Sequence, residues 1–356
     1  MKGLILSGGK GTRLRPLTFT QAKQLIPVAN KPVLFYAVED LLAVGIEDIG
    51  VVISPETGGE VQEALRGHGF PGVRFTFILQ EKPLGLAHAV KVARPFLGED
   101  PFVMYLGDNL LSGGLGEAME AYRRQAPDGL ILLASVENPQ AFGVAVLDGA
   151  GRVRRLVEKP SHPPSSLALV GVYILPPEIH GVIEGLHPSP RGEYEITEAI
   201  QGLIDSGLRI EALQVRGWWK DTGKPEDLLE ANRLVLSRLT GKIEGEVRES
   251  QLAGEVVVEK GAKVVRSRIR GPVHIAAGAV VEDSYVGPYT SIGREAVVRR
   301  SEVEYSILLD RAKVEDLPHL LDASILGREA VVVGKGEGPR RFTAGMVLGD
   351  RSQVRV

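Results

Sequence analysis

Ala262, Ala279, Ala296, Ala312 and Ala330 are each followed two positions later by valine, at Val264, Val281, Val298, Val314 and Val332. The successive spacings are 17, 17, 16 and 18 residues. Apolar residues also recur at every sixth position, as from Val258 to Val264, Ile275 to Val281, Val286 to Ile292 to Val298, and Ile325 to Val331. Six residues per side and about three sides per coil is the arithmetic of a hexapeptide β-helix, in which each coil stacks its apolar positions on the next. A β-sandwich is the alternative, but a sandwich would not hold so regular a period. Asp316 to Ala323 breaks the hexads and reads as a loop projecting from one corner.

The chain before this repeat follows a different rhythm. Leu4 to Leu6, Gly50 to Ile53, Phe75 to Leu79, Phe102 to Leu106 and Leu130 to Val136 are brief and apolar on both faces, as strands of a covered parallel sheet are. Pro32 to Val44, Glu60 to Gly67, Leu84 to Phe96 and Gly114 to Gln125 read as helices between them. From Gly143 the pattern becomes strand-like (Val144 to Leu147, Val153 to Glu158, Leu167 to Leu175), with helices at Glu195 to Asp205 and Pro225 to Leu239. This predicts an α/β domain whose sheet has a mixed extension. At roughly 100 to 200 residues per domain, the 356 residues divide into an α/β domain over 1–241 and a β-helix over 242–356.

Forty-two basic against forty-five acidic residues give a net charge of −3, so any polyanion must be gripped at a local site and nucleic acid is not an expected partner. The chain has no Cys, which excludes disulfides, Cys-ligated zinc and a thiolate nucleophile. The first strand-like run starts at Met1 without a signal-like segment, and no apolar stretch approaches the roughly 20 residues that span a bilayer. A soluble, cytoplasmic protein is expected.

The chemistry concentrates after the first strand. Leu6-Ser7-Gly8-Gly9-Lys10-Gly11-Thr12-Arg13-Leu14-Arg15-Pro16 carries three glycines in four positions, which let backbone N–H groups approach phosphate oxygens. It is neither a Walker A loop, which needs Gly-Lys-Ser/Thr, nor a dinucleotide fingerprint, which needs Gly where Leu14 stands. A glycine-rich structural turn is the competing reading. Arg13 and Lys23 tip the balance, since a structural turn has no use for two cations that suit a triphosphate. Asp108, past the end of an apolar strand, and Asp221, after a later strand-like stretch, are carboxylates of the kind that hold Mg²⁺ together with substrate phosphates. Taken singly, either is as well read as a turn former. Glu158-Lys159-Pro160 ends another strand and by itself reads as an ordinary surface segment.

Gly8-Gly9-Lys10-Gly11-Thr12-Arg13-Leu14-Arg15-Pro16-Leu17-Thr18, followed by Lys23-Gln24-Leu25-Ile26-Pro27-Val28, resembles the opening signature of the sugar-1-phosphate nucleotidylyltransferases. Gln80, Gly85, Leu106-Gly107-Asp108-Asn109, Phe142-Gly143-Val144, Glu158-Lys159-Pro160, Arg191-Gly192-Glu193-Tyr194-Glu195-Ile196-Thr197 and Trp219-Lys220-Asp221-Thr222-Gly223 stand in that family's order. The chain most resembles the glucose-1-phosphate thymidylyltransferases in their long form. The resemblance implies a Rossmann-like nucleotidyltransferase domain with a mixed central sheet, followed by a left-handed parallel β-helix. It implies that glucose 1-phosphate and dTTP give dTDP-glucose and pyrophosphate, with Mg²⁺ on Asp108 and Asp221. Leu6, Gly8, Gly9, Gly11, Thr12, Arg13, Gln80, Gly85 and Asp108 are then nucleotide-binding, with Gln80 reading the base. Gly143, Glu158, Lys159 and Val170 take the sugar phosphate, though core packing explains Val170 equally well. Arg13, Lys23, Asp108, Lys159 and Asp221 are the expected catalytic set.

A uridylyltransferase using UTP remains open, because the Gln80 amide matches thymine and uracil alike. So does a bifunctional nucleotidylyl/acetyltransferase, for which the repeat domain offers only His274 and His319 as bases, with no surrounding signature. A non-catalytic sugar-nucleotide sensor would be expected to lack some of the charged residues present here. Trp218 and Trp219 read as a packed strand end, His88 as a neighbour of the nucleotide pocket, and the chain as a homo-oligomer covering the open end of its coil.

Overall fold

The computed structural model describes residues 1–334 and 343–355. By internal contacts the chain forms two units, one of residues 1–9 and 33–221, the other of residues 10–32 and 222–356. The expected boundary at Gly241 groups the residues differently: by contacts, the cation-bearing segment 10–32 keeps company with the β-helix. Among the described residues no helix is long and apolar enough to cross a membrane.

In the first unit, Lys2–Ser7 lies at the heart of a nine-stranded sheet. It pairs in parallel with Asp48–Ile53 on one side and Phe102–Leu106 on the other, and Asp48–Ile53 pairs in parallel with Arg74–Leu79. Leu4, Ile5, Val51, Val52, Phe102, Val103 and Met104 are at 0% exposure because helices cover both faces. Beyond Phe102–Leu106 the sheet becomes mixed, as expected. Leu167–Leu175 joins antiparallel, and pairs in turn with Gly129–Ser135 and the short strand Gly143–Leu147. Val153–Glu158 completes that edge against Gly143–Leu147. Ile210–Gln214, which is too polar to stand out in sequence, adds a parallel strand beside Gly129–Ser135, and the short helix Ile179–Glu184 also goes unmarked by periodicity.

In the second unit the repeat is a parallel β-helix of three sheets, with seven, seven and six strands. Val264, Val281, Val298, Val314 and Val332 stand opposite one another in successive coils, so the period of about 17 is one full turn. These valines and the five period-marking alanines are all at 0% exposure. At one corner, Arg266, Asp283, Arg300 and Asp316 adopt positive φ of 45° to 54°, a conformation that non-glycine residues take only when their surroundings impose it. Ion pairs between adjacent coils oblige: Arg266 Nε lies 2.8 Å from Asp283 Oδ1, and Arg300 Nη2 lies 2.8 Å from Asp316 Oδ2. Inside the same corner, Ser267, Ser284 and Leu317 donate backbone N–H groups to the hydroxyls of Ser250, Ser267 and Ser301. The projecting loop is shorter than the hexad break suggests. Leu320–Asp322 is a strand with Leu321 opposite Val303, and Leu317 is itself buried in the coil at 4% exposure, so the interruption narrows to Pro318-His319.

Because this core is a stack of identical layers, a void in its middle cannot be relieved from either side. Ile292, at 0% exposure, tests this. Ile292→Ala is expected to lower unfolding free energy by about 2–5 kcal/mol, read from the midpoint of urea denaturation. A loss below about 1 kcal/mol would mean that the coils are loosely packed.

Candidate active site

In the first unit the chain leaves Lys2–Ser7, builds the sheet outward on one side, and then crosses to Phe102–Leu106 on the other. Such a reversal opens a crevice at the carboxyl ends of the central strands, where open α/β sheets bind ligands. Gly8 and Gly9 leave one of those strands and Gly107-Asp108 leaves its neighbour, with Gly107 N–H donating to Leu6 O at 3.0 Å. Leu6 is 7% exposed and belongs to the strand's packing. Ser7 is at 0% exposure and its Oγ has no hydrogen-bond partner among the described residues, a buried polar group of the sort that structures seldom leave unsatisfied without cause.

Gln80 follows the strand Arg74–Leu79 at the same sheet edge. Its Nε2 lies 3.2 Å from Gly85 O and 3.0 Å from His88 Nδ1. Gly85 O can only accept, so the amide orientation is fixed and Nε2 donates there. Burial, reinforced by Lys91, holds the His88 pKa below its ordinary value, which favours a neutral ring whose Nδ1 accepts. Both amide hydrogens are thereby used, and Oε1 is turned toward Gly8, where a Cβ would stand 3.3 Å away. Gln80 therefore presents an acceptor, where its sequence offered donor and acceptor alike.

A two-stranded ribbon brings the two aspartates together. Asn109–Leu111 pairs antiparallel with Trp219–Asp221, and Asp221 stands opposite Asn109, the residue after Asp108. Trp219 Nε1 donates to Asn109 Oδ1 at 2.6 Å, and Asn109 Nδ2 donates to Asp108 Oδ1 at 2.9 Å. Trp219 also meets Phe142 edge-on, with ring centroids 5.2 Å apart. It does end a strand, as expected, but it also sets Asn109 and through it Asp108. Asn109, 2% exposed, is a positioning residue that sequence reasoning passed over although it sits inside the quoted motif. Among the described residues no three His, Asp or Glu side chains cluster as metal ligands. Two carboxylates at neighbouring backbone positions suit an oxygen-seeking cation that takes its other ligands from water and phosphates.

A second group forms around Glu158, which is paired with Gly143 across the sheet edge. A Cβ on Gly143 would lie 2.6 Å from Thr197 Cγ2 and 3.1 Å from Glu158 Oε2, so only glycine lets these side chains meet over its backbone. Glu158 accepts from Arg191 Nη2 and from Thr197 Oγ1, both at 3.1 Å, while Arg191 also holds Glu195 at 2.8 Å. Burial raises the Glu158 carboxyl above its ordinary value, and Lys159 pulls against that. Lys159 follows with φ of 37°, its N–H bonded to Phe142 O at 3.1 Å and its side chain 43% exposed. A non-glycine residue held at positive φ beside a charged cluster is a common mark of a working site. Arg191, Glu195 and Thr197 stand in a motif quoted from the sequence but received no individual role there. Val170 is at 0% exposure within an irregular stretch of its strand, so core packing accounts for it.

Gly11, Thr12, Arg13 and Lys23 belong to the second unit. Gly11 has φ of 60°, and a Cβ there would lie 2.9 Å from Lys23 Cβ, so the loop folds closely on its lysine. Thr18 Oγ1 fastens it by donating to Gly11 O at 2.7 Å. Thr12 and Arg13 are exposed, and Lys23 is 8% exposed.

The family model described as nucleotidyl transferase matches residues 2–238. The chain belongs to the nucleotidyl transferase family. Relatives extend the match past the model's end. This nucleotidyltransferase is 48% identical over 357 residues to a glucose-1-phosphate thymidylyltransferase of Streptomyces griseus, covering 100% of this chain and 99% of that one. It is 45% identical over 359 residues to the low-salt glycan biosynthesis nucleotidyltransferase Agl11 of Haloferax volcanii, covering 100% of both. Among solved structures, a putative glucose-1-phosphate thymidylyltransferase of Bacillus anthracis is 36% identical with a TM-score of 0.63, covering 68% of this chain and 98% of that one. The nucleotidyltransferase thus carries an α/β domain shared with shorter relatives, and its β-helix is shared with full-length ones.

Proposed function

We propose that this nucleotidyltransferase transfers the thymidylyl group of dTTP to glucose 1-phosphate, giving dTDP-glucose and pyrophosphate. The observation that carries the reading is the ribbon that sets Asp221 opposite Asn109, the residue after Asp108, which follows a central strand. A phosphate oxygen of glucose 1-phosphate forms a bond to the α-phosphorus, and the bond from that phosphorus to the bridging oxygen of pyrophosphate breaks. The nucleophile is already anionic at neutral pH, so neither a general base nor a covalent intermediate is needed. Positioning and charge neutralisation are what the residues must supply.

Arg13 and Lys23 take the triphosphate, together with backbone N–H groups of Gly8, Gly9, Gly11 and Thr12. Gln80 Oε1 accepts the N3–H of the base, a group that thymine and uracil share, and Gly85 supports that amide through its carbonyl. Lys159 aligns the attacking phosphate, Glu158 accepts from sugar hydroxyls, and Gly143 offers its N–H. Asp108 and Asp221 would hold Mg²⁺, which when bound would supply charge neutralisation at the phosphates. The nucleotide substrate places the reaction in the cytoplasm, and the open coil end favours a homo-oligomer. His274 is not available as the base of an acetyl transfer, since both its ring nitrogens are engaged within the fold.

Pyrophosphate release from a panel of nucleoside triphosphates and sugar 1-phosphates tests the reading. The expected result is the highest kcat/KM for dTTP with glucose 1-phosphate. A higher value for UTP with the same sugar would make the enzyme a uridylyltransferase.

A further inference from the structure

The segment that carries Arg13 and Lys23 is not held by its own hydrogen bonds alone. Near its end, Pro27–Val28 and Lys31–Pro32 pair across a two-residue turn at Ala29 and Asn30, whose φ values are 49° and 62°. Two successive residues at positive φ usually require glycine in at least one place, and here neither is glycine. What holds the turn comes from helix Pro225–Leu236 and from the β-helix. Asn232 Oδ1 accepts from Ala29 N–H at 2.8 Å, and its Nδ2 donates to Tyr289 O at 2.9 Å. His274 Nδ1 donates to Ala29 O at 3.2 Å, while His274 Nε2 faces Glu259 Oε1 at 2.8 Å. Asn30 Nδ2 donates to His274 O at 3.2 Å and to Ile292 O at 3.0 Å, carbonyls of two adjacent coils.

The middle of the segment is tied to the last coil. Thr20 Oγ1 donates to Asp350 Oδ2 at 2.9 Å, and Asp350 is in turn held by Arg328 at 3.2 Å. Between the two ties lie Gln21, Lys23 and Gln24, all below 9% exposure. Gln21 Nε2 and Gln24 Oε1 have no hydrogen-bond partner among the described residues.

We propose that the β-helix is a positioning device for the nucleotide-binding segment, with His274 and Asn232 as the positioning residues that hold the Ala29-Asn30 turn. The proposal rests on the reading that Arg13 and Lys23 grip the triphosphate. Neither positioning residue touches substrate. Each fixes backbone from which those cations project, so its loss weakens the triphosphate side alone.

The test uses the full chain. His274→Ala is expected to raise KM for dTTP about tenfold, leaving KM for glucose 1-phosphate within about twofold. His274→Asn, whose Nδ2 can donate to Ala29 O as the ring did, is expected to restore most of the loss. Thr20→Val, a change at an exposed tie with little bearing on folding, should move KM in the same selective way. In parallel, amide hydrogen exchange without substrate should show lost protection across residues 10–32 in His274→Ala, with protection in Lys2–Ser7 retained. Equal rises in both KM values, no rescue by His274→Asn, or lost protection with unchanged KM for dTTP would each overturn the proposal. Failure of the unmutated enzyme to use any nucleoside triphosphate would instead sink the functional reading, and exchange would still report on the ties.

Discussion

Asp108→Asn and Asp221→Asn each lower turnover by about 100-fold or more, with the thermal midpoint close to that of the unmodified enzyme. The expectation follows from the ribbon geometry. Asp221 stands across from Asn109, and Asp108 precedes it, so the two carboxylates share one small region and neither substitutes for the other. Asparagine keeps the shape and one acceptor oxygen but removes the negative charge that a hard cation requires. Raising Mg²⁺ should recover part of the activity in each variant, and chelation should abolish that of the unmodified enzyme. Activity within threefold of normal at ordinary Mg²⁺, in either variant, would reject the assignment.

Lys159→Ala and Arg13→Ala divide the two substrate phosphates between them. A charge-assisted hydrogen bond contributes about 1.5–3 kcal/mol, so each loss should cost about 10- to 100-fold in the affinity of the substrate concerned. For Lys159→Ala that substrate is glucose 1-phosphate, and for Arg13→Ala it is dTTP. Isothermal titration with each ligand, and steady-state KM values, separate the cases. If Lys159→Ala lost dTTP affinity with glucose 1-phosphate affinity untouched, the two roles would have to be exchanged.

What the sequence made legible was whatever repeats or alternates. The alanine–valine period translates into stacked coils because each coil sees the same neighbours as the one before it. Phe102–Leu106 and Leu167–Leu175 appear at their expected places because strands buried on both faces have little choice but apolar residues. The elements missed are those whose residues satisfy partners far away. Ile210–Gln214 is an edge strand of the sheet with mixed polarity, and no local rule marks it. Leu320–Asp322 was hidden because the interruption at Pro318-His319 displaces the hexad count and not the coil.

The site divides in the same way. Charged residues at strand ends, such as Asp108 and Lys159, stood out, since the motif supplied context that composition lacks. Asn109 and Arg191 did not, because their work is done on other side chains: Asn109 on Asp108, and Arg191 on Glu158 and Glu195. The orientation of Gln80 was equally invisible, being decided by Gly85 O and His88. Hydrogen-bond direction is a property of the assembled fold, and periodicity carries no trace of it.

The ties on residues 10–32 also impose an order of events on synthesis. The hydrogen bonds from Ala29 to Asn232, from Asn30 to Ile292 and from Thr20 to Asp350 close sequence separations of 203, 262 and 330 residues. At the usual rate of translation the segment waits about 15 to 65 seconds for the last of these partners to emerge. During that interval residues 10–32, made early, are among the last to find all their partners. A chain that stops short of Asp350, through a premature stop or a proteolytic nick, lacks the acceptor for Thr20 however well its α/β sheet has formed. Formation of the coil that carries Asp350 is thereby coupled to the ordering of a loop made some three hundred residues earlier.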